Sequence, residues 1–279
     1  LKIRSITYFF DPGWPLKGEL LKEAGAFLSE AGPAFRAAGF EVQTARLATP
    51  PFPVLLADRM QSEIVPFAQE LECSAQEIGY DYVSIGPALP PFIESYAVIP
   101  EVLSDTRIVF AAGMIASRKE GISLQALRAC AGVVQRCSTI SPNGIGNLRF
   151  AALANVPPGA PFFPAGYHQG GPPSFALATE AADLAVAAVR RSKSLQEVRG
   201  RLVESVEKTA LQLRALSEGL VKRHRSKFLG IDFSLAPFPS REISIGEALE
   251  GLGVRKVGMH GSLAAATFLT DVMEEPATL

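Results

Sequence analysis

Three histidines occur in the chain, His168, His224 and His260. Histidine titrates near neutral pH, so it can act as general base, general acid or metal ligand. His168 stands in "PPGAPFFPAGYHQGGPPSF", Pro157 to Phe175. The prolines of this segment fix φ, and Gly166 lets the backbone turn just before Tyr167 and His168. Such a stretch is neither an ordinary helix nor a central strand. It reads as a rigid platform, with Phe162 and Phe163 expected to be buried. Asp232 lies in "KFLGIDFSLAP" and His260 follows "VRKVGM". A carboxylate can orient an imidazole or share a cation. The expected catalytic set is therefore His168, Asp232 and His260. Two histidines and an aspartate suffice for a metal site, but no His-x-x-x-His spacing is present, so a divalent metal is only weakly signalled and the cofactor is left open.

Plainer roles compete for each residue. Asp11 precedes Pro-Gly and suits a turn. Asp232 suits a buried carboxylate held by backbone amides, and His260 suits a helix start. His224, in "KRHRSK", suits a solvated helix end favoured by the helix dipole. "NGIGN" precedes a strand, whereas phosphate loops lead from strand into helix, so it reads as a helix C-terminal turn. Cys130 and Cys137 share one helix face and read as core.

The elements that must position these groups alternate. Strand-like stretches are "KIRSITYFF", "EVQTARLA", "YDYVSIGP", "RIVFAAG", "NLRFAALANV", "KFLGIDFSLAP" and "VRKVGM", about seven by pattern. Helical stretches lie between them, including "SFALATEAADLAVAAVRRS" and a long amphipathic run over 194–224. Strands alternating with helices imply mainly parallel pairing through right-handed crossovers, and no linker divides the chain. The expected architecture is one α/β domain over residues 1–279.

In such folds ligands bind beyond the carboxyl ends of the strands. That adds Asp11, Ser117, Arg118, Asn155, Tyr167 and Ser234 as expected substrate-binding residues. The ends of the strands carrying Asp232 and His260 should open on the same side as His168.

Composition narrows the classes. Of 279 residues, 48% are hydrophobic, which permits a sizeable core. The formal net charge of −1 calls for neither nucleic acid nor an anionic membrane. Three cysteines without close spacing give no disulfide framework, and no apolar run is long enough to span a bilayer, so a cytoplasmic location is expected.

The segments from Phe110 to Gly246 resemble one uncharacterised bacterial and archaeal family, whose members carry similar "NVPPG", "FFPAxYH" and "SLAPFP" stretches. The family is similar in fold to the pyruvate formate-lyase-like α/β barrels, ten-stranded around a central hairpin, so the resemblance implies a barrel. Neither a glycyl-radical motif nor an adjacent cysteine pair is present, and radical chemistry is not implied. Members run on past the equivalent of "FLTDVM", so the resemblance implies a barrel left incomplete in this chain, through a missing end or a short variant.

Three functions follow as expectations. The first is an enzyme acting on a small polar or anionic metabolite by His/carboxylate acid–base or metal-assisted chemistry. The second is a non-catalytic small-molecule sensor on an enzyme-like scaffold. The third is a structural subunit, with the 194–224 helix as a homo-oligomer contact.

Overall fold

The alternation in "KIRSITYF" sends Ile6 and Tyr8 to one face of a strand and Ser5, Thr7 and Phe9 to the other. In the computed structural model, which describes residues 1–235, 240 and 243–275, this stretch is β1 (Lys2–Phe9). Three more strands and the helices between them follow: α1 (Gly18–Ala37), β2 (Glu41–Ala48), α2 (Phe52–Leu56), α3 (Met60–Glu77), β3 (Tyr82–Ala88), α4 (Ile99–Asp105) and β4 (Val109–Ser117). Then come β5 (Gly121–Ile122), α5 (Leu124–Cys137), β6 (Phe150–Ala154), β7 (Ser174–Glu180), α6 (Ala182–Arg190), α7 (Leu195–His224), β8 (Lys227–Asp232), α8 (Ile245–Gly251) and α9 (Ser262–Glu274).

The strands form one mixed sheet in the order β5-β4-β3-β2-β1-β7-β8, with β6 also on β4. β1 to β4 and β6 run parallel, as the alternating pattern implies. β7 lies antiparallel to β1, and β8 is parallel to β7. The carboxyl ends of β1 to β4 therefore share a sheet edge with the amino ends of β7 and β8.

β7 corrects the sequence reading, which placed Ser174–Glu180 at the start of a helix. All of Ser174–Thr179 is buried, and the stretch pairs along the whole of β1. A strand covered on both faces shows no period-2 alternation, and pairing overrides the helix preference of its alanines. "VRKVGM" is not a strand either. Gly253 and Gly258 adopt positive φ and the stretch turns.

One face of the sheet packs on helices. Tyr8, Phe27 and Phe175 stack in series, with centroids 4.7 and 4.8 Å apart. Cys130 and Cys137 are buried in this layer, as expected. At Ser123 the side chain accepts from Ala126 N and starts α5.

α7 opens on Ser194, whose hydroxyl accepts from Glu197 N, while Glu197 accepts from Lys193 N. Its buried stripe is Val198, Leu202, Val206, Ala210, Leu213, Ser217 and Leu220. Leu213 and Leu220 join the core under the sheet, whereas Val198, Leu202 and Val206 pack with α6, α8 and α9. Leu195 is exposed and does not belong to the stripe. His224 is not a solvated helix end. Its ring stands edge-on to Phe27, and Nε2 lies 3.3 Å from Glu30 of α1. No helix among the described residues is long and apolar enough to cross a membrane.

Candidate functional site

On the second face of the sheet, the cluster of Phe9, Ala48, Ala176 and Phe163 includes no helical residue among those described. That face is roofed by the proline-rich segment. Asn155 ends β6 with φ 57°, a left-handed conformation that asparagine tolerates, and its N–H donates to Ala116 O. The chain then closes a compact loop. Gly159 N donates to Tyr167 O at 2.9 Å, and Tyr167 Oη donates to Val156 O at 3.0 Å. Gly166 has no room for a side chain, since a Cβ there would lie 2.9 Å from Ala160 O.

Several contacts hold the loop to the sheet, among them a long one from Ser5 Oγ to Pro161 O at 3.5 Å. Ser84 Oγ donates to Gly166 O at 2.6 Å, His168 N donates to Thr49 O at 2.9 Å, and Phe163 packs on Phe110 and among Phe9, Ala48 and Ala176. Phe162 corrects the expectation of a buried pair. It is 45% exposed, because adjacent residues of an extended loop face opposite ways and only Phe163 turns to the sheet.

The segment delivers His168 to the edge where β1 and β2 end and β7 and β8 begin. Its side chain is buried, 3% exposed, beside a cavity of about 150 Å³. Gln169, Ser174 and Lys227 supply the polar lining, and Gly159 and Leu229 part of the apolar wall. Nε2 lies 3.4 Å from Gly171 O. A carbonyl only accepts, so this long contact favours the tautomer with the proton on Nε2 and a bare Nδ1. Burial lowers the imidazole pKa from its ordinary 6.5, opposed by the Gly171 carbonyl and the charge of Asp11. The neutral, basic form is thereby favoured.

Asp11 lies near this cavity, at the end of β1, but its carboxylate also accepts from Gly13 N at 2.9 Å as a turn residue does. The hydroxyl of Tyr167 is engaged by Val156 O, and Asn155 is exposed on its turn. Ser117 and Arg118 sit at a hairpin that the sequence reading did not foresee. Ser117 Oγ accepts from Glu120 N, and Arg118 is exposed at the turn between β4 and β5.

Asp232 is not brought to His168. Because β8 runs opposite to β1, its carboxyl end lies at the other edge of the sheet, where Asp232 pairs in register with Ala178. There its Oδ2 accepts from Ser234 N, and Ser234 O accepts from Ala181 N. His260 is exposed in the turn before α9 and lines no part of the cavity. The "SLAPFP" stretch lies partly outside the described residues. Among the described residues no group of three His, Cys, Asp or Glu side chains is placed to hold a metal ion.

The residues missed were Ser174 and Lys227. Both open strands, and a search restricted to carboxyl ends passes over them. Only knowledge that β7 reverses direction would have found them.

Burial raises the Asp232 carboxyl above its ordinary 3.8, opposed by the Ser234 amide and by Arg4. The folded state thus holds the proton more tightly than the unfolded chain does. The stabilisation is fully present below 3.8 and is lost as pH rises through the folded value. Asp232→Asn is expected to raise Tm at pH 7, with the gain shrinking toward pH 4. A lower Tm at pH 7 would show that the ionised carboxylate is needed.

A mainly parallel α/β sheet, helices on one face, a proline-rich roof on the other and a histidine-lined cavity at the strand ends together define the class. The chain belongs to the family described as Uncharacterised ACR (DUF711), which it matches over residues 1–278. It is similar to UPF0210 proteins of bacteria and archaea. That of Acetivibrio thermocellus is 27% identical over 260 residues, covering 86% of this chain and 56% of the relative. That of Methanococcoides burtonii is 27% identical over 256 residues, with 86% and 56% covered. That of Oenococcus oeni is 26% identical over 275 residues, with 92% and 59% covered. The chain thus spans little more than half the length of these relatives.

Proposed function

We propose that the protein binds a small anionic metabolite in the His168 cavity, with His168 as the acid/base group of an enzyme. The burial of a neutral imidazole beside a cavity that Lys227 also lines is the observation that carries this reading. A lysine ammonium attracts an anionic substrate group, and a buried neutral histidine accepts a proton near pH 7. A backbone carbonyl contacts the ring in the place that Asp232 was expected to take.

That same substitution favours the second reading, a non-catalytic sensor. Among the described residues no carboxylate makes an ion pair or hydrogen bond with His168. Both readings require a ligand in this cavity. A thermal-shift panel of small carboxylates and phosphates tests them. Hits are expected to raise Tm in the wild type and to lose the shift in His168→Ala and Lys227→Gln. Turnover of a hit would make the protein an enzyme, and binding without turnover a sensor. Shifts that persist in both variants would place the ligand elsewhere.

The wider expectations join this proposal. One α/β unit over 1–279 is supported by α7, which packs into both hydrophobic clusters. A pyruvate formate-lyase-like barrel is supported by the 157–168 segment packing on the second face of the sheet through Phe163, as a central hairpin would. A homo-oligomer through α7 would have to use its outer side, where Leu211 is exposed, since its apolar stripe is buried within the chain.

A further inference from the structure

A second cavity lies under the same segment, away from His168. It holds about 220 Å³ and is lined by Arg4, Arg46, Tyr82, Phe110, Phe162 and Phe163, with Pro161 and Ala178. Its two arginines reach it by different routes. Arg46 follows the alternation of β2, in which Ala45 and Leu47 face the helices. Arg4 is turned to this face by a register shift in β1 between Ile3 and Ser5, which leaves Ile3 in the helix-side core.

Arg46 is a half-buried cation, and the carboxylate acting on it, Asp81, is engaged by Ala45 N and makes no ion pair with it. Its guanidinium lies 5.4 Å from the Phe163 ring centroid and 5.9 Å from that of Tyr82. Among the described residues, Arg46 donates from Nε to Thr44 Oγ1 at 3.1 Å and makes no ion pair. Its two terminal nitrogens, the pair that grips a carboxylate, have no acceptor among these residues. Burial and the like charge of Arg4 push its pKa down to about 10, opposed by Tyr82 and Asp81. Thr7, the register partner of Arg46 on β1, is fully buried without lining the cavity, and its Oγ1 has no hydrogen-bond partner among the described residues. Phe162 stands half out at the rim, an exposed aromatic with no role in the core. A half-buried cation whose terminal nitrogens lack an acceptor, a second cation beside it and aromatic walls call for an anion with a flat apolar body.

We propose that this cavity is an anion site that takes a small planar carboxylate, its charge on Arg46 and Arg4 and its flat body against the Phe162 and Phe163 side of the roof. The site is separate from the His168 cavity, and its test reads binding rather than turnover. Titrating the protein with benzoate, followed by calorimetry or ligand-observed NMR, should give saturable binding, and the neutral isostere benzamide should not bind. Arg46→Gln should weaken benzoate binding about tenfold or more. Arg46→Lys keeps the charge but loses the two-pronged geometry and should also weaken it. Arg4→Gln, at the exposed rim, should fold normally and weaken binding, so it decides the question if the Arg46 variants do not fold. Inorganic phosphate should compete poorly. Absence of saturation in the wild type, equal binding of benzamide, phosphate matching benzoate, or unchanged affinity in Arg4→Gln and Arg46→Gln would each overturn the assignment.

Discussion

Leu213→Ala is expected to lower stability by about 2–5 kcal/mol. Leu213 is fully buried on α7 and belongs to the core beneath the sheet. Truncation removes apolar contacts and leaves a cavity that a long helix cannot close, because α7 is held at both ends. Its amino end is capped by Ser194 and packs with α6, α8 and α9. Its carboxyl end is tied to α1 by Arg223, whose Nε lies 2.7 Å from Glu30, and by the His224–Phe27 contact. Collapse around the missing side chain would have to move one of these anchors. Chemical denaturation at pH 7 should show a lower midpoint with an unchanged m-value. Leu211→Ala, on the exposed side of the same helix, controls for helix propensity and should change stability by less than about 0.5 kcal/mol. An unchanged midpoint in Leu213→Ala would mean that α7 does not pack here in solution.

α7 also shows what a sequence makes legible. Its three-or-four spacing marks the buried stripe because a surface helix writes its environment into its own period. β1 and β2 were legible for the same reason, with one face on apolar helices and the other bearing Thr7, Thr44 and Arg46. β7 was not legible. Both its faces are covered, so the alternation disappears and alanines dominate. That one element decided the site. Its reversal sends Asp232 to the far edge and brings Ser174 and Lys227 to His168. Strand direction is set by which edge the chain returns to, and no local residue pattern encodes that choice. The platform reading of Pro157–Phe175 was legible, since φ-restricted prolines and Gly166 act locally. Which of Phe162 and Phe163 turns inward depends on the sheet beneath.

The larger expected effect is at His168. With a ligand identified, His168→Ala is expected to abolish binding, or to reduce turnover by about 10²–10⁴-fold if the imidazole transfers a proton. The variant should fold, because the segment keeps its backbone anchors, His168 N to Thr49 O and Gly159 N to Tyr167 O. A pH series separates this role from mere packing. Burial lowers the imidazole pKa below 6.5, so the folded state binds the proton less tightly than the unfolded chain. The stability associated with the neutral ring is fully present above pH 6.5 and is lost as pH falls through the folded value. Wild-type Tm should therefore decline as pH falls below 6.5 more steeply than that of His168→Gln, which cannot take up the proton. Ligand binding that needs the neutral ring should fall over the same acid range in the wild type. Parallel Tm profiles for wild type and His168→Gln, with ligand affinity equal in both, would reduce His168 to a packing residue and remove the acid/base group from this cavity.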